Sequence, residues 1–182
     1  MGEADAGSRC SPAQLTHFTL DGTNLHMLET WSRESEQHKH LRDAVLAALD
    51  SWHGFLIALD GVDGAGKSQL GRYLSWQLQM PVIETDLFLV QGAGLSYRIG
   101  ELENLVQQRL NRDKPVIIEG VCLLRLLTVL EIKPDYLVWV DQVGYAGSHT
   151  LKVLMDEYAA AFSPRERADF VFSWVDQAEY DN

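Results

Sequence analysis

The chain has 182 residues, of which 46% are hydrophobic. That suits one α/β domain with a sizeable core and an added N-terminal segment. A formal net charge of −11 and a pI near 4.8 exclude nucleic acid as the main partner and disfavour an anionic membrane surface, because the long-range field repels both.

In chain order, residues 1–13 are small and polar and are expected to form a mobile tail. His17-Phe18-Thr19-Leu20 and Thr23-Asn24-Leu25-His26-Met27 flank Asp21-Gly22, a hairpin signal. Residues 33–52 predict a helix with Leu41, Val45, Leu49 and Trp52 on one face. Residues 1–52 thus read as an extension that either adds a layer to the core or makes an interface for an oligomer. Residues 53–182 read as the main domain.

That domain alternates strands and helices. Phe55-Leu56-Ile57-Ala58-Leu59 is a continuous apolar run, as in a parallel strand covered on both faces. Leu70, Leu74 and Leu78 place a helix over 67–79. A second strand is predicted at Val82-Ile83-Glu84-Thr85. An amphipathic helix carries Leu102, Leu105, Val106 and Leu110. A third strand is Val116-Ile117-Ile118-Glu119, and a short helix runs from Leu123 to Leu130. A fourth strand covers Tyr136 to Val140. Leu151, Leu154, Met155, Tyr158 and Phe162 share a helix face, and a fifth strand lies within 168–174. Strands and helices in this alternation imply a parallel sheet covered on both sides.

Between the first strand and its helix lies Gly61-Val62-Asp63-Gly64-Ala65-Gly66-Lys67-Ser68, which satisfies G-x-x-x-x-G-K-[ST] at every fixed position. Glycines let the backbone approach phosphate oxygens, the loop amides form an anion nest, and the following helix adds its positive end. Lys67 reaches the β- and γ-phosphates, and the Ser68 hydroxyl can ligate the accompanying Mg²⁺. The motif therefore predicts binding of a nucleoside triphosphate. Asp63 within it either steadies the loop or is a turn residue.

Ligands of open parallel sheets bind beyond the carboxyl ends of the strands. Asp86, Glu119 and Asp141 fall there. Glu119, after an apolar strand, suits the shell of a metal or the cap of the next helix. Asp86 suits a general base or an acceptor-orienting group, with a helix or turn cap as the alternative. Asp141 is read as a turn residue, and Glu84 as pointing away from the site. Arg98, in a glycine-rich stretch, either contacts the acceptor or is solvated. The six histidines form no metal constellation, and a surface position is expected for each. Cys122 reads as a small buried residue.

Two cysteines make no disulfide framework. No apolar run reaches the roughly 18 to 20 residues of a spanning helix, and the first residues lack a signal-peptide core. A cytoplasmic location follows as the expectation.

The segment Leu59 to Ser68 resembles the loop of P-loop small-molecule kinases, thymidylate kinase included. Lys114-Pro115-Val116-Ile117-Ile118-Glu119-Gly120-Val121 resembles the third-strand motif of the uridine kinase and phosphoribulokinase group. Thr85-Asp86-Leu87-Phe88 is similar to that group's Asp-x-Phe-Tyr signature, with Leu89 in place of the tyrosine. The resemblance covers about 54–175. It implies the three-layer α/β/α P-loop NTPase fold, with a five-stranded parallel sheet in the order 2-3-1-4-5. It also implies Glu119 near the metal and Asp86 at the acceptor hydroxyl. ATP and Mg²⁺ are the implied cofactors, and a nucleoside- or sugar-like molecule the acceptor. One departure is clear: residues 141–162, where such kinases carry a lid with phosphate-clamping arginines, contain none. Lys152, His149, Arg165 and Arg167 are the cations left to substitute. The readings that follow are a kinase, a nucleotide-binding module without turnover, and an NTPase or nucleoside monophosphate kinase.

Overall fold

The computed structural model describes residues 34–49 and 54–174. The expected tail and hairpin lie outside the described residues. Five strands form one sheet: β1 (Leu56–Gly61), β2 (Val82–Glu84), β3 (Val116–Glu119), β4 (Tyr136–Gln142) and β5 (Phe170–Trp174). All pairings are parallel, and the order is β2-β3-β1-β4-β5. Five helices cover it: α1 (Glu36–Ala48), α2 (Lys67–Leu78), α3 (Ile99–Leu110), α4 (Leu123–Val129) and α5 (Lys152–Phe162).

Each face of the sheet carries its own core, because successive strand residues point to opposite sides. Ile57 and Leu59 of β1 pack with Leu41 and Val45 of α1 and Leu70, Leu74 and Leu78 of α2. Leu56 and Ala58 pack with Leu102 and Val106 of α3, Leu123 and Leu127 of α4, and Tyr158 of α5. This double covering is why β1 and β3 are apolar along their lengths rather than alternating.

The compact unit that holds the sheet starts at Glu36. The reason is the α1 face: Leu41 and Val45 are fully buried, so this helix is a layer of the core. His38 is also buried, against the surface position expected for it, with its ring edge-on to Tyr73, Phe172 and Trp174. In α3 the buried stripe narrows to Leu102 and Val106, and Leu105 is exposed.

Gly61 ends β1 where the backbone of β4 passes closest. A Cβ there would sit 2.0 Å from the Val140 carbonyl oxygen, in register with Gly61. Gly61→Ala is therefore expected to destabilise the fold by about 1–3 kcal/mol through overpacking against a backbone that cannot yield. Urea denaturation checks this, and an unchanged midpoint would contradict the close approach.

Candidate functional site

The glycine loop leaves β1 and enters α2, with Asp60 as its anchor. Asp60 is completely buried. Its carboxylate accepts the amides of Gly61 at 2.8 Å, Leu123 at 3.2 Å and Leu124 at 3.4 Å, together with the Tyr158 hydroxyl from α5. One side chain thus ties the loop's base to α4 and α5. Burial pushes the Asp60 carboxyl up, and the Tyr158 hydroxyl as well. Sequence reasoning passed over Asp60. The signal was a carboxylate at the end of an apolar strand, a position that demands partners.

Gly64 and Gly66 have φ of 75° and 76°, a left-handed conformation that favours glycine. Gly66 is the N-cap of α2 and offers no side chain, so the first-turn amides stay open to an anion. Beside it, the buried Trp174 indole N–H finds no acceptor among the described residues. Lys67 begins α2 and is buried. Its ammonium donates to the carbonyls of Val62 at 2.7 Å and Gly61 at 3.3 Å. Burial holds its pKa below the ordinary 10.5.

Glu119 ends β3 beside Leu59 of β1 and Glu84 of β2. The Ser68 hydroxyl donates to its carboxylate at 2.9 Å. Burial pushes the Glu119 carboxyl up, with the Ser68 hydrogen bond and the Lys67 charge opposing. Asp86 lies in a 3₁₀ turn, Thr85–Phe88, directly after β2. Carboxylate oxygens of Glu84, Asp86 and Glu119 lie within 4.8 Å of one another. Glu84 therefore faces the site, against the expectation that it points away. Its register with Glu119 sets its side, and Arg72 of α2 holds it bidentately at 2.7 and 2.8 Å.

Lys67, Ser68, Asp86 and Glu119 share a cleft of about 460 Å³ that Asp63 and Tyr97 also line. The volume suits a small ligand. All donors near Ser68 are oxygens, which fits a hard divalent cation such as Mg²⁺. Ser68 and Glu119 would hold it, with Asp86 in reach, while Glu84 is already engaged by Arg72.

Arg98 does not join this group. Its guanidinium donates to the carbonyls of Leu87 at 2.8 Å and Leu89 at 3.2 Å and to the Glu101 carboxylate at 3.0 Å, 5.9 Å from the Phe88 ring centroid. It staples the turn that carries Asp86. The basic side chains around the expected lid are engaged too. Arg165 pairs with Asp141 at 3.2 Å, Lys152 with Asp156 at 3.0 Å, and Arg167 donates to the Phe162 carbonyl at 3.4 Å. His149 is exposed. Among the described residues, the cations lining the cleft are Lys67 and the already paired Arg72.

A second cavity, of about 420 Å³, adjoins the first, with Leu95, Tyr97 and Val121 lining both. Cys122 lines it, and burial pushes its thiol up from 9.0 to about 11. At pH 8 that leaves about 100-fold less thiolate than in the ordinary thiol. In a Cys10→Ser protein, alkylation should be slow at pH 8 and accelerate about tenfold per pH unit until near pH 11. A rate that levels off near pH 9 would show the thiol to be solvated.

Sheet order and glycine loop together are those of the P-loop NTPase α/β fold. Among solved structures, a possible uridine kinase from Bacillus stearothermophilus matches with a TM-score of 0.56 at 18% identity, covering 75% of this chain and 97% of its own. A provisionally assigned fructose transport system kinase from Silicibacter sp. TM1040 matches with a TM-score of 0.48 at 19% identity, covering 76% of this chain and 100% of its own. Shikimate kinase from Bacteroides thetaiotaomicron matches with a TM-score of 0.38 at 18% identity, covering 65% of this chain and 86% of its own. The likeness to the first shows a common fold. No protein-family model matches the chain, and no curated protein matches its sequence. No helix among the described residues is long and apolar enough to cross a membrane.

Proposed function

We propose that this protein is an ATP- and Mg²⁺-dependent kinase that transfers the γ-phosphoryl group to a hydroxyl of a small molecule. The observation that carries the reading is convergence. Asp86 and Glu119, 33 residues apart in the chain, meet beside Ser68 and Lys67 in one cleft. Phosphoryl transfer asks the protein mainly for positioning and charge stabilisation. The open amides of α2 and the loop hold the phosphates, and Lys67 swings from the loop carbonyls onto the β- and γ-oxygens. Ser68 and Glu119 would hold Mg²⁺, which would supply neutralisation of the phosphate charge. Asp86 accepts the proton of the attacking hydroxyl, and Tyr97 and Leu95 wall the acceptor side.

The test is ADP release from Mg-ATP over nucleosides, sugars, hydroxy acids and monophosphates, against a blank without acceptor. Release that depends on an acceptor supports the kinase. ATP binding with no release above the blank across the panel would favour a second reading, a nucleotide-binding module without turnover. The engagement of Lys152, Arg165 and Arg167 away from the cleft favours that reading, because each missing cation removes transition-state stabilisation.

A further inference from the structure

The two adjoining cavities differ in charge. The first is lined by the carboxylates Asp63, Asp86 and Glu119 and the cations Lys67 and Arg72, and Glu84 lies close to Asp86 and Glu119. Tyr97 stands between the two, with its ring in the walls of both cavities. The second cavity is walled chiefly by Leu95, Ile99, Val121, Leu126 and Leu154, and no carboxylate lines it. Its charged lining group is Arg125 of α4, half-buried, with the guanidinium carbon 5.8 Å from the Tyr158 ring centroid. No carboxylate pairs with Arg125 among the described residues. Arginine elsewhere near the site is consumed: Arg72 by Glu84, Arg98 by backbone carbonyls and Glu101, Arg165 by Asp141.

A half-buried guanidinium lined by apolar side chains, with no carboxylate paired to it among the described residues, can bind an oxyanion through two parallel N–H donors. We infer that the second cavity is the far half of the acceptor site, and that the acceptor carries a single carboxylate bound by Arg125, an apolar body against Tyr97 and Leu126, and a hydroxyl presented to Asp86. This rests on the kinase reading for the role of the hydroxyl, but the anion site stands on its own geometry. Charge sets the orientation. The acidic end repels the carboxylate and leaves the hydroxyl end to face Asp86. Charge also sets the class. One cation matches a monoanion, and a phosphate dianion would bring a second negative charge towards a chain of net charge −11 with nothing to meet it.

The test is calorimetric binding to the full chain with three probes that share one body: 4-(hydroxymethyl)benzoate, its primary amide, and 4-(hydroxymethyl)phenyl phosphate. The carboxylate should bind at least about tenfold tighter than the amide, the size of a charge-assisted hydrogen-bonded pair. Arg125→Met, which keeps the stem over Tyr158, should reduce the carboxylate to the affinity of the amide. Arg125→Lys should recover part of the difference, and melting temperatures of both variants report that they are folded. Equal binding or equal failure of carboxylate and amide in the wild type overturns the inference, with no variant involved. So does a preference that survives Arg125→Met, or a phosphate that binds tighter than the carboxylate. ADP release over the same probes and over uridine and fructose separates the two readings. Carboxylate-selective binding without release sinks the kinase and leaves this site. Release with uridine or fructose and no carboxylate preference does the reverse.

Discussion

Replacing Lys67 by methionine is expected to lower kcat for phosphoryl transfer by about 10²–10³-fold and to leave the protein at least as stable as the wild type. The two effects separate because the ammonium has different roles in the free and nucleotide-bound protein. In the structure it is buried at the start of α2 and, among the described residues, bonded to the carbonyls of Val62 and Gly61. Its pKa is held below 10.5 by that burial, with Glu119, Asp60 and Asp63 opposing. A lysine with a depressed folded-state pKa weakens the fold. The penalty is fully present below the folded value and fades only as pH rises towards the unfolded value of 10.5. Methionine removes that penalty at neutral pH and fills the same volume. The Val62 carbonyl keeps a partner in the Ala65 amide. With phosphates bound, the same charge neutralises oxygens that gain negative character in the transition state, and methionine cannot. The checks are ADP release at saturating acceptor and a thermal melt. A variant that turns over at the wild-type rate would remove Lys67 from the mechanism. One that loses activity only because it unfolds would show the lysine to be structural.

Asp86→Asn is expected to lower kcat by about 10²–10⁴-fold, the usual value of a positioned general base, with little change in affinity for Mg-ATP. Asparagine matches the carboxylate in size and hydrogen-bonding reach but cannot take the proton of a hydroxyl. Asp86 is exposed and lines the cleft from a turn that the Arg98 guanidinium holds in place, so the substitution should not disturb packing. Its carboxylate is also close to Glu119 and Glu84, and a metal role makes a different forecast. In that case raising Mg²⁺ would restore much of kcat. If Asp86 is the base, the loss persists at every Mg²⁺ concentration. Measuring kcat against Mg²⁺ for both proteins decides between them. The Glu119→Gln protein, in which Ser68 loses its charged acceptor, should show the Mg²⁺-dependent behaviour instead.

The sequence reading and the structure part company where partners come from far along the chain. Strand β3 falls at Val116–Glu119, as its apolar run predicts, and α2 runs from Lys67 to Leu78 against a predicted 67–79. Each is a property of neighbouring residues: an apolar run, a four-residue spacing, a glycine that admits the turn. The order β2-β3-β1-β4-β5, implied by family resemblance, is also the order observed. For Glu84, alternation along the strand gives relative facing only. Which face is the site is set by pairing with Glu119, 35 residues on. For Arg98 the glycine-rich neighbourhood leaves an acceptor contact and a solvated position both open, and its bonds to the carbonyls of Leu87 and Leu89 exist only once the 3₁₀ turn has formed.

By itself, then, the amino-acid sequence determined the phosphate loop, the α/β class, and the strand-end acids Asp86 and Glu119, all of them written in short-range patterns of residue type. The tertiary structure alone decided which carboxylates meet, that Asp60 fastens the loop to α4 through the Leu123 amide and to α5 through Tyr158, that His38 is buried, and that Arg125 lines the second cavity with no carboxylate paired to it among the described residues. These depend on the burial and distance of groups brought together by the packing of separate elements. Desolvation and pairing act through space, and no spacing along the chain encodes them.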